Sequence, residues 1–272
     1  MSFFIDTDNG LGSQRGDVDD GFALTALLLS HHSSVIGIGA VDGNTPAVQA
    51  HLNNQQLARL LDYSGPVLAA TDAVAALSKT DTQSTLMALG PLTNIAAAFP
   101  KSGDGGGRNL VVVGGNYASK GRWPPVYPYE FNLVKDKAAT CSVLRNDFNL
   151  TFVPLDVARR FRFTFEEVAA LPGNIGAYLT HHSRRWWRRC YRLKLARSAP
   201  IWDLLAVMVA IDPGNIKQIR TAYTCHDNTW IEWGKGSRPC RVVVDFDRPA
   251  LWRRFSELIE SAEATKQQAL SL

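Results

Sequence analysis

Residues 3–30 read FFIDTDNGLGSQRGDVDDGFALTALLLS. A short apolar run ends at Asp6 and Asp8, and a second apolar run opens at Asp19 and Asp20. The first has the length of a buried strand and the second that of a helix, with a polar, glycine-containing loop between them. Asp19 and Asp20 fall in the first helical turn, where the helix dipole favours anions. With Asp17 in the loop, five carboxylates gather at one junction. Like charges crowded at buried element ends repel one another, so stability alone does not account for them.

Outward from this unit the same alternation continues. SVIGIGAVDGN reads as a second strand ending in Asp42-Gly43-Asn44, and TPAVQAHLNNQQLARLLDYSG as a helix with a capping Thr, Pro at its first position and Gly65 after its end. GPVLAAT is a third strand and STLMALG a fourth, with PLTNIAAAF turning into a helix. RNLVVVGG is a fifth strand, DKAATCSVLRND a helix and NLTFVPLDV a strand. The pattern predicts one α/β domain over residues 1–272, a mostly parallel central sheet flanked by helices. SGDGGGR at 102–108 precedes a strand and has no Lys-Ser/Thr pair, so it is a poor phosphate loop.

Composition narrows the class. The 272 residues are 46% hydrophobic and 20% charged, a globular balance. No apolar run reaches membrane-spanning length and no leader pattern is visible, which predicts a cytoplasmic protein without a membrane partner. The four cysteines are scattered and read as reduced thiols. The net charge of +4 owes much to one stretch, SRRWWRRCYRLKLAR at 183–197. As a helix it sets Trp186, Cys190 and Leu193 on one face and arginines on the other. It reads as a helix with a solvated basic face, or else as a lid whose arginines meet phosphate. No nucleic-acid-binding motif accompanies it.

Ligands of parallel sheets bind outside the carboxyl ends of the strands. There the sequence places Asp6 and Asp8, Asp42 and Asn44, Leu89-Gly90, Gly114-Gly115-Asn116 and Asp156. Carboxylates without His or Cys are hard oxygen ligands, which favours Ca²⁺ or Mg²⁺ over zinc. Blander readings exist for individual residues. Asp6 could cap the adjacent loop, Asp19 and Asp20 could serve the helix dipole alone, and Asn44 and Asn132 could be turn residues. Asp17 reads as a plain loop residue, and the Arg-Gly-Asp at 15–17 as coincidence.

The ordered motifs resemble the calcium-dependent nucleoside hydrolases of the inosine–uridine type. The aspartate pattern Asp6-Thr7-Asp8-Asn9-Gly10 with Val18-Asp19-Asp20 is followed by VDGN at 41–44, ALGPLTNIA at 88–96, VVVGG at 111–115, EFNLVKDKAA at 130–139, VPLDV at 153–157 and WDLLAV at 202–207. The resemblance implies Ca²⁺ held by Asp8, Asp20, Asp203 and the Leu89 carbonyl, with Asp8 also the base for a calcium-bound water. It implies that Asp19, Glu130 and Asn132 grip the ribose, that Asn44 supports water and sugar, and that Asp6 stands behind the ligands. The implied reaction is hydrolysis of a ribonucleoside or related ribosyl compound to ribose and free base, as in nucleoside salvage. The implied partners are that small molecule and, as is typical of the family, further copies of the same chain.

Three departures mark a truncated member. The seven residues LGSQRGD interrupt the aspartate motif, which can still close if they bulge outward as an Ω-like loop. Only DAVAALSKTDTQ separates the third and fourth strands, where the family usually carries a segment that covers the base. Trp202 stands where many members have His, as in the purine-specific branch, where that Trp stacks on the base; the alternative is a core aromatic. The branch's second Trp has no counterpart, and Trp123 or Tyr127, near Arg122, is the substitute wall that the sequence offers. A calcium-dependent nucleoside-binding protein without turnover is the competing expectation, favoured by the insert and the shortened cover.

Overall fold

The computed structural model describes residues 2–14, 16–30, 34–117, 130–192 and 197–270. Arg15, Arg122, Trp123, Tyr127 and Leu193 lie outside these residues. In chain order the elements begin with β1 (Ser2–Thr7), α1 (Asp19–Leu29), β2 (Ser34–Ala40), α2 (Ala47–Leu60), β3 (Val67–Leu68) and α3 (Ala70–Leu77). They continue with β4 (Thr85–Ala88), α4 (Thr93–Ala98), β5 (Asn109–Val113), α5 (Asn132–Lys135), α6 (Lys137–Leu144) and β6 (Asn149–Val153). Then come α7 (Leu155–Ala158), β7 (Arg162–Thr164), α8 (Phe165–Ala169), α9 (Gly173–Arg192), β8 (Ser198–Pro200) and α10 (Trp202–Ile211). The chain closes with β9 (Ile216–Cys225), β10 (Ile231–Trp233), β11 (Arg238–Phe246) and α11 (Arg248–Leu270).

Nine strands form one sheet in the order β10-β9-β11-β6-β5-β4-β1-β2-β3. The neighbours from β3 to β11 pair in parallel, whereas β9 lies antiparallel to both β11 and β10. The strand order reverses at β1, which has β2 on one side and β4 on the other. Outside the carboxyl ends of such strands a crevice opens, because successive crossovers leave in opposite directions. Asp8 follows β1 and Leu89 follows β4, so both stand at that crevice.

Side-chain alternation divides the core. Phe3 and Ile5 of β1 join Met87, Val111 and Val153 on the face covered by α1, α9, α10 and α11. Phe4 joins Leu86, Leu110 and Phe152 on the face covered by α3, α4 and α6. This period of two is that of a sheet buried on both sides. α1 is buried nearly all round and packs against α10 and α11. The all-apolar reading of FALTALLL reflects this position, since a helix without a polar face has no surface to offer water. One sheet and its two helical layers make a single domain.

The strands differ from the sequence reading in two respects. The third strand is two residues long, because Ala70 and Thr71 enter α3. β9 and β10 extend the sheet, and β7 and β8 form a small antiparallel ribbon beside it. α9 is an integral core helix: Trp186, Trp187 and Cys190 are buried, and Arg184, Arg185 and Arg188 are exposed. That is the solvated-face arrangement.

Candidate active site

α1 and α10 lie side by side, each with acid in its first turn: Asp19 and Asp20 on one, Asp203 on the other. One oxygen from each of these buried carboxylates lies within 4.8 Å of the others. Two helix N-termini thus converge on a cluster of negative charge, the end of the dipole that tolerates it. Asp8, just after β1, stands near enough to feel the charges of Asp20 and Asp19, and its Oδ2 accepts the Asn44 backbone N–H at 2.5 Å. Gly43 permits that approach, since a Cβ there would stand 2.1 Å from Asp8 Oδ2. Thr7, in β1, donates its hydroxyl to Asp20.

Burial, followed by the charges of Asp20 and Asp19, lifts the Asp8 carboxyl well above its ordinary range. Asp19 and Asp203 are lifted likewise, burial first and neighbouring aspartates next. Burial takes Asp20 up to about 6 against the opposing Thr7 hydrogen bond. Buried carboxylates lifted first by burial and then by neighbouring charge, three of them with oxygens within 4.8 Å of one another, are a donor set that could hold a hard divalent cation. The residues therefore fit the group that the sequence implies.

These aspartates, with Asp17, floor a cleft of about 260 Å³. Asn44, Leu89 and Asn132 line it too, and Val113, Phe131, Leu155 and Trp202 supply its apolar surface. The lining thus combines carboxylates with aliphatic and aromatic side chains. None of the lining residues comes from the short β3–β4 connection. Asn132 Nδ2 donates to the carbonyls of Leu89 at 2.7 Å and Val113 at 3.2 Å. This fixes the Leu89 carbonyl and leaves Asn132 Oδ1 without a hydrogen-bond partner among the described residues.

Two of the anticipated residues stand behind the cleft. Glu130 accepts the backbone N–H groups of Gly115 at 2.6 Å and Leu133 at 3.0 Å, so both its oxygens face protein. Burial raises its carboxyl to about 7. Asp6 accepts from Asn94 Nδ2 at 2.9 Å, its other oxygen is without a partner among the described residues, and burial raises it to about 7. It packs within the sheet rather than capping a loop. Trp202 sits edge-on to Trp186 with ring centroids 6.4 Å apart.

Asp17 is more than the plain loop residue of the sequence reading. Its Oδ1 accepts the Trp186 indole N–H and an Arg189 guanidinium N–H, each at 2.7 Å. The insert closes at a neck where Gly10 and Gly16 touch: a Cβ on Gly10 would stand 2.8 Å from the Gly16 Cα. Asn53 Nδ2 ties the insert to α2 through Asn9 O at 2.7 Å and Ser13 Oγ at 3.1 Å. No sequence signal marks these partners, because Asp17 and Arg189 are 172 residues apart.

The fold and site define an α/β protein with a carboxylate cation cluster beside a small-molecule cleft at the sheet's switch point. More narrowly, the chain belongs to the inosine-uridine preferring nucleoside hydrolase family, whose model matches residues 66–253. That span contains Leu89, Glu130, Asn132, Trp202 and Asp203 and begins after the interrupted aspartate motif. A plant nucleoside hydrolase structure is similar with a TM-score of 0.78 and 18% identity, covering 95% of this chain and 98% of that one. A purine-preferring ribonucleoside hydrolase from Gardnerella vaginalis is similar with a TM-score of 0.77 and 18% identity, covering 97% and 99%. At these identities the likeness is one of fold. A Schizosaccharomyces pombe protein described as uncharacterized is 30% identical over 97 residues, 34% of this chain. That match spans 31% of the yeast protein's length. Among the described residues no helix is long and apolar enough to cross a membrane.

Proposed function

We propose that this protein hydrolyses the N-glycosidic bond of a ribonucleoside, purine nucleosides foremost, to ribose and free base. The observation that carries the reading is a cleft whose lining combines buried aspartates with the apolar side chains of Trp202, Phe131, Val113 and Leu155. Breaking a C–N glycosidic bond leaves the sugar cationic in the transition state, and fixed negative charge stabilises that cation. The apolar surface takes the flat base, with Trp202 positioned to contact its face or edge. Asn132 Oδ1 and the Asp19 carboxylate are acceptors for ribose hydroxyl groups. Glu130 supports them by fixing the Gly115 and Leu133 backbone.

Asp8, Asp20, Asp203 and the Leu89 carbonyl are the ligands we assign to Ca²⁺, with Asp19 at its edge. Held there, a cation would offset the carboxylate repulsion and would make water and sugar hydroxyls more acidic. Asp8 Oδ2 is engaged by Asn44, so Oδ1 takes the proton from the attacking water. The water oxygen bonds to the sugar carbon as the C–N bond breaks and its electron pair leaves with the base; the base takes a proton from solvent, and Asp8 returns the water's proton to solvent.

The test is ribose release from inosine, adenosine, guanosine, uridine and cytidine in calcium, beside Asp8→Asn. The expected result is release by the wild type, fastest with purines, and a loss on the order of 10²–10⁴-fold in Asp8→Asn. Bound calcium with no release from any of the five would replace the hydrolase by a nucleoside-binding protein.

A further inference from the structure

The insert that interrupts the aspartate motif is fastened at its far end. Trp186 and Arg189 are three residues apart on α9, so they share a helix face and reach the same carboxylate. Both donate to Asp17 Oδ1, at 2.7 Å each. The Asp17 backbone N–H, in turn, donates to Asn44 Oδ1 at 2.8 Å. The Asn44 backbone N–H donates to Asp8 Oδ2 at 2.5 Å. An unbroken line of hydrogen bonds therefore runs from α9, through the insert, to the carboxylate assigned as the base.

The chemistry of that line lies in the Asn44 amide. A carboxamide has one acceptor end and one donor end. With Oδ1 held by Asp17, the end left for a ligand is Nδ2, and Asn44 lines the cleft. Nδ2 lies beside Gly10, where a Cβ would stand 2.9 Å from it, and is the donor left for an oxygen of the substrate or its water. Released from Asp17, the amide is free to turn and present its oxygen instead, which repels the same lone pairs. We propose that Asp17 is a positioning residue, held by Trp186 and Arg189, that sets the donor end of Asn44 toward the substrate and steadies Asp8. The insert lengthens the chain between Asp8 and the helix that begins at Asp19, and this latch restores the fixed spacing that an uninterrupted motif would supply.

The contact is suited to orientation more than to stability. The Asp17 and Arg189 side chains are 39% and 38% exposed, and ion pairs so open to water add little to folding. Two donors on one oxygen nevertheless define a direction. Neither Trp186 nor Arg189 lines the cleft, so replacing them tests positioning without removing a substrate contact.

The effect on rate rests on the hydrolase reading, whereas the amide orientation does not. The experiment therefore uses Arg189→Ala, Arg189→Lys, Trp186→Phe, Asn44→Ala and the double variant Arg189→Ala/Asn44→Ala of the full chain. Steady-state kinetics on the fastest nucleoside are paired with nitrogen-edited NMR of the Asn44 side-chain amide. We expect Arg189→Ala to lower kcat about tenfold with KM within about twofold, and Arg189→Lys to restore most of it. In the Asn44→Ala background, Arg189→Ala should cost less than about twofold, because the latch acts through Asn44. The Asn44 amide resonances should shift in Arg189→Ala and Trp186→Phe. Equal losses in both backgrounds, or an Asn44 amide unmoved by either variant, would overturn the latch. If the wild type releases no ribose, the hydrolase reading falls and the amide resonances alone decide the latch.

Discussion

Glu130 shows how a carboxylate can serve a site without facing it. Its two oxygens take the N–H groups of Gly115 and Leu133, backbone that follows β5 and opens α5 on either side of the cleft. The cost of burying it appears as a carboxyl raised from its ordinary 4.5 to about 7, burial first, with the two backbone hydrogen bonds opposing. A folded-state pKa above the unfolded one means that the native protein binds the proton more tightly. Glu130's favourable contribution is therefore complete below about 4.5 and is lost as pH rises to about 7. The full gap corresponds to roughly 3 kcal/mol. Glu130→Gln, which cannot ionise, should flatten this part of the profile. In urea unfolding between about pH 4.5 and 7.5, the wild type should lose stability relative to Glu130→Gln as pH rises. Parallel profiles would show that the carboxyl titrates normally and is better hydrated than its burial implies.

At the level of elements, the site depends on how a loop seats on a helix. Leu11, the first residue of the insert, packs against Gly21 in α1: a Cβ on Gly21 would come 2.4 Å from Leu11 Cδ2 and 2.8 Å from its Cβ. An exposed helical Gly→Ala change would stabilise by about 1 kcal/mol through propensity. Here the added methyl meets the inner end of a buried side chain, and overpacking of that kind costs roughly 1–3 kcal/mol. Gly21→Ala should therefore destabilise in denaturant unfolding and weaken calcium binding, since the displaced loop carries both Asp8 and Asp17. A gain of stability would mean that the insert yields freely. The motif residues on either side of this loop were legible because strand and helix patterns are local, and the resemblance supplied their order. Asp17 was not legible. Its partners come from a helix near residue 189, and nothing in a loop's composition announces a contact so distant in sequence. β9 and β10 escaped for a related reason. IKQIRTAYTC carries polar residues on an extended strand near the sheet's edge, so its burial does not alternate cleanly. Its place is set by pairing with β11 rather than by its own pattern.

For the whole molecule, the four aspartates join its most distant parts. β1 and α1 bring Asp8, Asp19 and Asp20 from the start of the chain, and α10 brings Asp203 from nearly two hundred residues later. The α1–α10 contact is thus a core contact whose N-terminal end is electrostatically strained, since Asp203 is lifted by burial and then by Asp19, Asp20 and Asp8. A cation that binds only the folded arrangement removes that strain and links stability to its own concentration. At calcium about a hundredfold above its dissociation constant the gain is about 2.7 kcal/mol. For a chain of this length that raises Tm by roughly 5–10 °C. Chelator should reverse the rise, and Asp203→Asn should shrink it, because a neutral amide oxygen holds calcium more weakly than a carboxylate. Magnesium should give a smaller rise than calcium, since it prefers to keep its water and demands six near-ideal positions, whereas a cluster left open for a sugar suits a larger, more adaptable ion. The measurement is thermal unfolding with chelator, calcium or magnesium for both proteins. A Tm indifferent to every cation would mean that protonation, rather than metal, relieves the cluster, and the calcium assignment would fall with it.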